Sequence, residues 1–311
     1  MKIAFQMDPI STVDINADSS FRLAEEAQAR GHSLFYYPPD KLSFQEGKLI
    51  ARGHSMEVQR VSGRPAILSV EEDVSLENFD VIWLRQNPPF DMHYITTTHL
   101  LDMIHPKTLV VNDPFWVRNY PEKLLVLNYP TLIPPTTIAR DIEMIRGFKA
   151  RHEDIILKPL YGNGGAGVFR LDANDGNLSS LHELFSSFSR EPLIAQKFLP
   201  EVSNGDKRVI LIEGQPVGAI NRIPAEGETR SNMHAGGRPE KVDLTKRDKE
   251  ICDAIGPILR EKGQIFVGID IIGDYLTEIN LTSPTGIQEL EKFDDINVAA
   301  MVWVAIEERC R

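Results

Sequence analysis

Cysteine is scarce in this sequence: its 311 residues include only Cys252 and Cys310. Two cysteines are too few for a disulfide framework, and these two lack the spacing of metal ligands. This usage is typical of a reducing compartment, so we expect a cytoplasmic protein.

Basic residues are also fewer than acidic ones: there are 34 Lys and Arg against 45 Asp and Glu, which gives a formal net charge of -11. No global field therefore favours binding to nucleic acid or to an anionic membrane. Any anionic ligand must be bound by local groups of Lys and Arg.

Long hydrophobic runs and internal repeats are missing as well. The apolar stretch at residues 3–7 is short, contains Gln6 and leads straight into Asp8-Pro9. We expect it to be a first β-strand, and neither a signal peptide nor a membrane span. The eight histidines show no paired metal-ligand spacing. The length and ordinary globular composition instead predict about two folded domains.

The first third of the chain alternates strand and helix patterns, which predicts an open parallel α/β sheet. The predicted strands are 2–7, 33–36, 81–84 and 108–111, and the predicted helices follow Asp18 and span about 94–104. The pattern changes near residue 120, so we place a domain boundary there. Residues 1–121 would form a substrate-binding domain and 122–311 a second domain.

A glycine-rich segment lies between two predicted strands at 155–158 and 168–171. Its Gly162-x-Gly164-x-x-Gly167 pattern formally matches the dinucleotide fingerprint, but that site needs a helix after the glycines. A strand follows instead, which favours a hairpin whose backbone amides lie over phosphates, with Lys158 beside them. The alternative is an ordinary flexible hairpin.

Residues 268–280 are typical of a second hairpin, around a Gly273-Asp274 turn. Glu278 and Asn280 share one face of its second strand, and Asp270 lies on its first strand. A two-residue turn alone would pair Asp270 with Thr277, on the wrong face for a shared metal ion. We predict a three-residue loop, or an equivalent bulge, which places Asp270 opposite Glu278 and forms a site suited to Mg²⁺. The alternative is a polar outer face.

Three weaker features lie between these motifs. Residues 196–199 could present backbone groups to a purine edge, and residues 206–208 offer a ribose partner and a phosphate cation. The segment 223–239 carries glycines and arginines with little apolar periodicity, so we predict a long loop that acts as a lid.

Taken in order, these features resemble the ATP-grasp ligases. Further segments are similar to the bacterial glutathione synthetase family, from residue 3 to near the end of the chain: 7–9, 88–91, 228–230, 236–238, 277–280 and 282–285. Gln86-Asn87 departs from the family pattern, where a basic residue and an Asp are expected, which leaves the roles of these two side chains open.

The resemblance implies an α/β (α+β) protein with an open parallel N-terminal domain and an ATP-grasp domain with antiparallel sheets. It implies ligation of γ-glutamylcysteine with glycine through an acyl phosphate, giving glutathione, ADP and phosphate. The implied cofactors are ATP and Mg²⁺, with Mn²⁺ as the alternative metal. The implied partners are small-molecule substrates and further copies of the chain, without nucleic acid or membrane.

The same resemblance implies roles for individual residues. Nucleotide-binding candidates are Lys123, Lys158, Gly162, Gly164, Gly165, Gly167, Gln196, Lys197, Phe198, Leu199, Asp206 and Arg208. Substrate-binding candidates are Arg85, Arg222, Arg230, Arg238, Ser283 and Thr285, and catalytic candidates are Arg208, Arg222, Arg230 and Arg238. Metal-ligand candidates are Asp270, Glu278 and Asn280.

Other functions are weighed against this one. Another ATP-grasp carboxylate-amine ligase, such as one that joins D-alanine to D-alanine or adds glutamate to a peptide, would share the ATP-binding half. A non-catalytic ATP-binding module would not need both a three-ligand metal set and an arginine-bearing lid. A nicotinamide oxidoreductase is disfavoured because a strand follows Gly167.

Overall fold

The structure, a computed structural model, describes residues 1–228, 230–232 and 236–311. Within those ranges no helix is long and apolar enough to cross a membrane. The described residues form three sheets.

The first sheet is built from residues 2–111. Its strands are β1 (Lys2–Met7), β2 (Ser33–Tyr37), β3 (Leu42–Gln45), β4 (Lys48–Val58), β5 (Ala66–Leu68), β6 (Glu72–Ser75), β7 (Val81–Arg85) and β8 (Leu109–Val111). Strands β2, β1, β7 and β8 are parallel neighbours in that order, which confirms the predicted parallel sheet. Strands β3 to β6 add an antiparallel extension around β4 that the sequence analysis did not predict.

Three helices belong to this first region: α1 (Ser19–Ala29), α2 (Met92–Asp102) and α3 (Pro114–Asn119). Each begins at an aspartate whose side chain accepts a hydrogen bond from a backbone N–H of the first turn. Helices α1 and α2 follow β1 and β7, so the carboxyl ends of these two strands lead into loops at one edge of the sheet.

The second sheet forms a small lobe with its own hydrophobic core. The short helix α4 (Glu122–Leu125) precedes the lobe, and its Leu125 belongs to the core of the first and third sheets. The lobe itself contains β9 (Thr136–Ala139), α5 (Ile142–His152), β10 (Ile155–Pro159), β11 (Phe169–Leu171), α6 (Leu178–Phe188) and β12 (Leu193–Lys197). The four strands are antiparallel in the order β11-β10-β12-β9. The glycine-rich segment connects β10 to β11, as predicted.

The third sheet has five antiparallel strands in the order β15-β14-β13-β16-β17. Its elements are β13 (Asp206–Ile212), β14 (Gln215–Ile223), β15 (Arg238–Lys241), α7 (Lys246–Glu261), β16 (Phe266–Ile272), β17 (Tyr275–Asn280), α8 (Ile287–Asp294) and α9 (Val298–Arg309). Ile223 pairs with Arg238, so both ends of the predicted 223–239 loop lie in strands. Within that loop, Thr229 and residues 233–235 lie outside the described residues.

The β16–β17 hairpin combines a two-residue turn with a bulge. Ile272 pairs with Tyr275 around Gly273, whose φ is +57°, and Asp270 pairs with Glu278 after a register shift. The preferred three-residue loop is therefore wrong. The bulge, which was the stated equivalent, is confirmed, and it places Asp270 directly opposite Glu278.

The first and third sheets share their hydrophobic cores. Trp83 of β7 packs edge-on against both Phe266 of β16 and Trp303 of α9, and all three side chains are buried. Asn112, just after β8, adds a polar connection. Its amide nitrogen donates to the carbonyl oxygens of Phe266 (2.8 Å) and Leu281 (2.9 Å), and its oxygen accepts from the Phe266 N–H (3.0 Å).

Replacing Asn112 with Ala should therefore destabilise the protein strongly. Three buried backbone groups would lose their partners, so we expect the free energy of unfolding to fall by about 3 kcal/mol. Equilibrium urea unfolding measures this change. The control is Asn119→Ala, which removes an exposed side chain bonded only within its own helix and should change stability by less than about 0.5 kcal/mol. Equal midpoints for the two variants would contradict the prediction.

Candidate active site

A cavity of about 780 Å³ opens where the three sheets meet. Its wall includes the carboxyl ends of β1 and β7, the glycine-rich turn, the end of β12 and one face of β13, β16 and β17. Most predicted site residues line it: Arg85, Lys123, Lys158, Gly162, Gly164, Gly165, Gln196, Lys197, Phe198, Leu199, Asp206, Arg208, Arg222, Arg230, Asp270, Glu278, Asn280, Ser283 and Thr285.

Two predicted site residues do not line the cavity. Gly167 has a φ of +70°, and a Cβ there would lie 3.0 Å from the Pro159 side chain, so its local geometry explains the glycine. Arg238 lies on edge strand β15 with its side chain 73% exposed and its guanidinium 2.6 Å from Glu240. The structure does not bring Arg238 to the cavity.

A buried ion network forms the floor of the cavity. Arg208 holds both carboxylate oxygens of Asp270, through Nε at 2.5 Å and Nη2 at 3.0 Å. Arg222 Nη2 lies 3.0 Å from Asp270 Oδ1 and donates to Asp206 at 2.6 Å. All four side chains are buried. Bidentate guanidinium geometry suits such desolvated pairs.

These contacts fix the charge of Asp270. Burial by itself would raise the pKa of its carboxyl, but the positive charges and hydrogen bonds of Arg208 and Arg222 outweigh burial and hold the pKa well below its usual range. Asn280 Nδ2 donates a further hydrogen bond to Asp270 at 3.2 Å. The site therefore holds an ionised carboxylate at neutral pH.

A second cluster of charged side chains lies between α4, β10 and β17. Lys123 Nζ lies 3.1 Å from Glu278 Oε1 and donates to the Gly162 carbonyl at 2.5 Å. Burial would raise the pKa of Glu278, but the charges of Lys123 and Lys158 lower it overall. Burial lowers the pKa of Lys158, and Glu278 offsets this only partly. An anionic ligand beside Lys158 would stabilise its charged form.

Asp270, Glu278 and Asn280 provide a donor set that fits a hard divalent cation. Asp270 and Glu278 are directly opposite across the hairpin, and Asn280 is two residues farther along the same face. Carboxylate and amide oxygens are suitable ligands for Mg²⁺ or Mn²⁺. Across the described ranges no group of three His, Cys, Asp or Glu side chains could hold a metal. A metal here would thus depend on the Asn280 oxygen and on oxygens of its ligand.

The glycine-rich turn and the lid segment contact each other over this floor. Gly164 and Gly165 have positive φ, and a Cβ on Gly165 would lie 2.8 Å from Asn232 Oδ1. Ser231 is buried and its hydroxyl donates to Asp206 at 2.8 Å. Arg230 lines the cavity and pairs with Glu228. Residues 230–232 of the predicted lid therefore pack against the turn and the ion network.

Arg85 occupies the opposite end of the cavity, between the first and third sheets. Its Nε donates to Ser20 at 2.8 Å and its Nη2 to the Pro284 carbonyl at 3.0 Å. Burial lowers the pKa of Arg85 to about 10, and the charge of Asp18 opposes this. Asn87, whose role the sequence left open, accepts from Ser283 Oγ at 3.2 Å.

Several acidic cavity residues were not predicted from the sequence. Glu122 is one: its carboxylate accepts from Thr282 Oγ1 at 2.8 Å, and burial raises its pKa while Lys123 opposes the shift. Its position next to Lys123 was the available signal. Asp14 and Glu289 also line the cavity, and no motif marks either one.

Two family models match the chain. The model described as prokaryotic glutathione synthetase, N-terminal domain, matches residues 1–118, and the ATP-grasp domain of the same family matches residues 122–295. The glutathione synthetase of Brucella melitensis is 59% identical over 309 residues, which are 99% of each chain. That of Agrobacterium fabrum is 57% identical and covers 99% of this chain and 96% of its own.

Solved structures agree on the fold. The D-cycloserine synthetase DcsG has a TM-score of 0.71 at 14% identity and covers 100% of both chains. A RimK domain protein ATP-grasp from Sphaerobacter thermophilus has a TM-score of 0.65 at 16% identity and covers 99% of this chain and 100% of its own. These likenesses confirm the α/β ATP-grasp fold, and the family matches with the full-length relatives establish that the chain belongs to the prokaryotic glutathione synthetase family.

Proposed function

We propose that this chain joins γ-glutamylcysteine to glycine at the cavity described above, with the cavity residues in the roles given below. Membership in the family implies ATP use, a divalent metal and small-molecule substrates. The observation that carries the proposal is the convergence in one cavity of buried cations, a metal-type oxygen set and a lid with an arginine.

The nucleotide would lie between the glycine-rich turn and β13. Lys123, Lys158 and Arg208 supply positive charge for its phosphates, and the turn supplies backbone amides. The Gln196–Leu199 segment, at the end of β12, supports binding of the purine edge through its backbone. Asp206, whose Oδ1 is buried without a partner, supports a hydroxyl donor such as the ribose.

Mg²⁺ is the proposed metal, with Mn²⁺ as the alternative, at Asp270, Glu278 and Asn280. When bound, it would neutralise charge on phosphate oxygens. The ion pairs of Asp270 with Arg208 and Arg222 keep that carboxylate ionised. The contact of Lys123 with Glu278 does the same for the second ligand.

The chemistry requires activation of a carboxylate, because a free carboxylate is a poor acyl donor. An oxygen of the cysteinyl carboxylate attacks the γ-phosphorus of ATP, and ADP leaves. The glycine amine then attacks the carbonyl carbon, loses a proton and expels phosphate, so the products are glutathione, ADP and phosphate. Positioning and charge neutralisation dominate such a phosphoryl transfer.

Arginines suit the oxygens of the peptide and of the tetrahedral intermediate. Arg222 and Arg230 line the cavity near the ion network and lid, Arg85 lies at its far end, and Ser283 and Thr285 lie on the loop after β17. The lid would keep water from the acyl phosphate.

Three broader proposals accompany this one. The chain divides near residue 121 into a substrate-binding domain and an ATP-grasp domain, which is supported by family matches that end at residue 118 and begin at residue 122. A cytoplasmic location is supported by the cysteine usage. A homo-oligomeric assembly rests on the resemblance alone.

A direct assay tests the activity. In the presence of ATP and Mg²⁺, we expect ADP release with γ-glutamylcysteine plus glycine and the formation of glutathione, and no comparable release with D-alanine alone. D-Alanine-dependent ADP release without glutathione formation would favour the sister-ligase alternative.

Glu278→Gln tests the metal assignment. The substitution removes one ligand charge, so we expect turnover to fall by roughly a hundredfold or more and the Mg²⁺ concentration for half-maximal rate to rise. Asp274→Asn is the matched control, because Asp274 lies in the turn of the same hairpin and outside the cavity. A near-normal rate for Glu278→Gln would remove Glu278 from the ligand set.

Arg230, in the proposed lid, and Arg238, on β15, can be compared by substituting each with alanine. Because Arg230 lines the cavity and Arg238 is exposed on β15, Arg230→Ala should lower kcat/KM for the peptide by about tenfold or more. Arg238→Ala should change it by about twofold at most. Steady-state kinetics at saturating ATP measure both variants. A larger loss for Arg238→Ala would mean that β15 moves to the cavity during turnover.

A further inference from the structure

The ligation step needs a group that takes a proton from the attacking nitrogen. Glycine enters as an ammonium whose nitrogen carries three hydrogens, and the amide nitrogen of the product carries one, so two protons must leave. The first can pass to water when the free amine forms. The second becomes acidic as the nitrogen bonds to the carbonyl carbon, and a positioned base speeds such a transfer. None of the residues assigned above acts as this acceptor.

The other side chains that could accept a proton in the cavity have different roles or positions. Lys123 and Lys158 are assigned to phosphates, whose charge would keep both lysines protonated. No His side chain lines the described part of the cavity wall. Apart from Glu122, the acidic residues of the wall belong to the metal set, pair with Arg222, or lie on the loop after β1 and on α8 at the far end: Asp270, Glu278, Asp206, Asp8, Asp14, Asp18 and Glu289.

Glu122 lies between the proposed metal ligands and the loop that follows β17. It is the first residue of α4 and lines the cavity, and the adjacent Lys123 reaches Glu278 of the metal set at 3.1 Å. Thr282 Oγ1, on the loop after β17, donates to Glu122 Oε1 at 2.8 Å, which fixes the orientation of the carboxylate. The same loop continues into Ser283, a proposed peptide contact. The carboxylate is thus placed where the phosphate end and the peptide must meet.

The surroundings of Glu122 suit a proton acceptor. Within the described ranges its carboxylate forms no ion pair, in contrast to Asp206, Asp270 and Glu278. Burial raises the pKa of the Glu122 carboxyl, Lys123 opposes this rise, and the negative charge of Glu278 adds to it. A carboxylate whose pKa is raised towards neutrality holds a transferred proton better than an ordinary one.

We propose that Glu122 accepts the proton that the glycine nitrogen loses as the amide bond forms. The assignment rests on the proposed function. The nitrogen lone pair forms the C–N bond, the carbonyl electron pair moves onto its oxygen, and the N–H proton passes to a carboxylate oxygen of Glu122. The carbonyl then forms again, and phosphate leaves with the electron pair of the C–O bond. Glu122 returns its proton to water after the products leave.

Hydroxylamine, used in place of glycine, tests the assignment. It is uncharged at neutral pH, and its nitrogen is less basic than that of glycine, so its adduct loses a proton to water without a positioned base. With ATP, Mg²⁺ and γ-glutamylcysteine, Glu122→Gln should form glutathione from glycine about a hundredfold or more slowly than the wild-type protein. The same variant should form the hydroxamate from hydroxylamine within about threefold of the wild-type rate.

Glu143→Gln is the matched control. Glu143 also lies in the first turn of a helix, α5, but it is exposed and outside the cavity, so both rates should stay at the wild-type level. Glu122→Asp is a second variant that keeps a carboxylate one methylene farther from the nitrogen. It should also lose activity with glycine selectively, by a smaller factor than Glu122→Gln.

Equal losses with both nucleophiles in Glu122→Gln and Glu122→Asp would indicate a structural role and overturn the assignment. Wild-type rates with glycine in both variants would overturn it as well. His234 lies outside the described residues, and His234→Ala is measured in the same way. A glycine-selective loss in His234→Ala but not in the Glu122 variants would place the acceptor elsewhere. Failure of the wild-type protein to form glutathione would instead overturn the proposed function itself.

Discussion

The buried carboxylate of Asp270 is the constraint on which the site depends. An ionised carboxylate in a protein interior requires compensating charge, and here Arg208 and Arg222 supply it from two other strands. The strand register makes this possible, because Arg208 is paired with Asp270, Asp206 with Arg222, and Asp270 with Glu278. A shift of one residue in any strand would turn one partner to the other face. The strand register of the third sheet therefore determines which charged side chains meet in the site.

The cavity has charged side chains at both ends. Near the glycine-rich turn, Lys123 lies 3.1 Å from Glu278, and the pKa of Lys158 is lowered by burial. That end would gain from the arrival of phosphate groups, which stabilise the charged lysine. At the far end Glu289 and Asp14 raise the local negative potential beside Arg85. Both ends of the cavity therefore offer charged groups to a bound ligand.

Local sequence patterns were sufficient for strands that are continuous apolar runs, such as β1 and β7, and for the glycine-rich turn. Strand β4 was missed although two of its neighbours, β3 and β5, are close to it in sequence. A Cβ on Gly53 would lie 2.1 Å from the Tyr36 carbonyl oxygen, so this glycine permits a close approach, although in sequence it suggests a break. Glu289 was missed because its position depends on contacts between α8 and α1, which are distant in sequence. The bulge beside Asp270 could be argued only from the geometry that a metal site requires.

The ion network also makes contact with residues 231 and 232 of the proposed lid. Ser231 donates to Asp206 Oδ2, the same oxygen that accepts from Arg222, and Asn232 lies against the turn at Gly165. The described lid residues are thus held by polar contacts and not by a large apolar surface. One hydrogen bond to a charged group contributes about 1.5–3 kcal/mol, an amount that thermal fluctuation can overcome on the timescale of a catalytic cycle. The position of Ser231 is therefore coupled directly to the ion pair of Asp206 with Arg222.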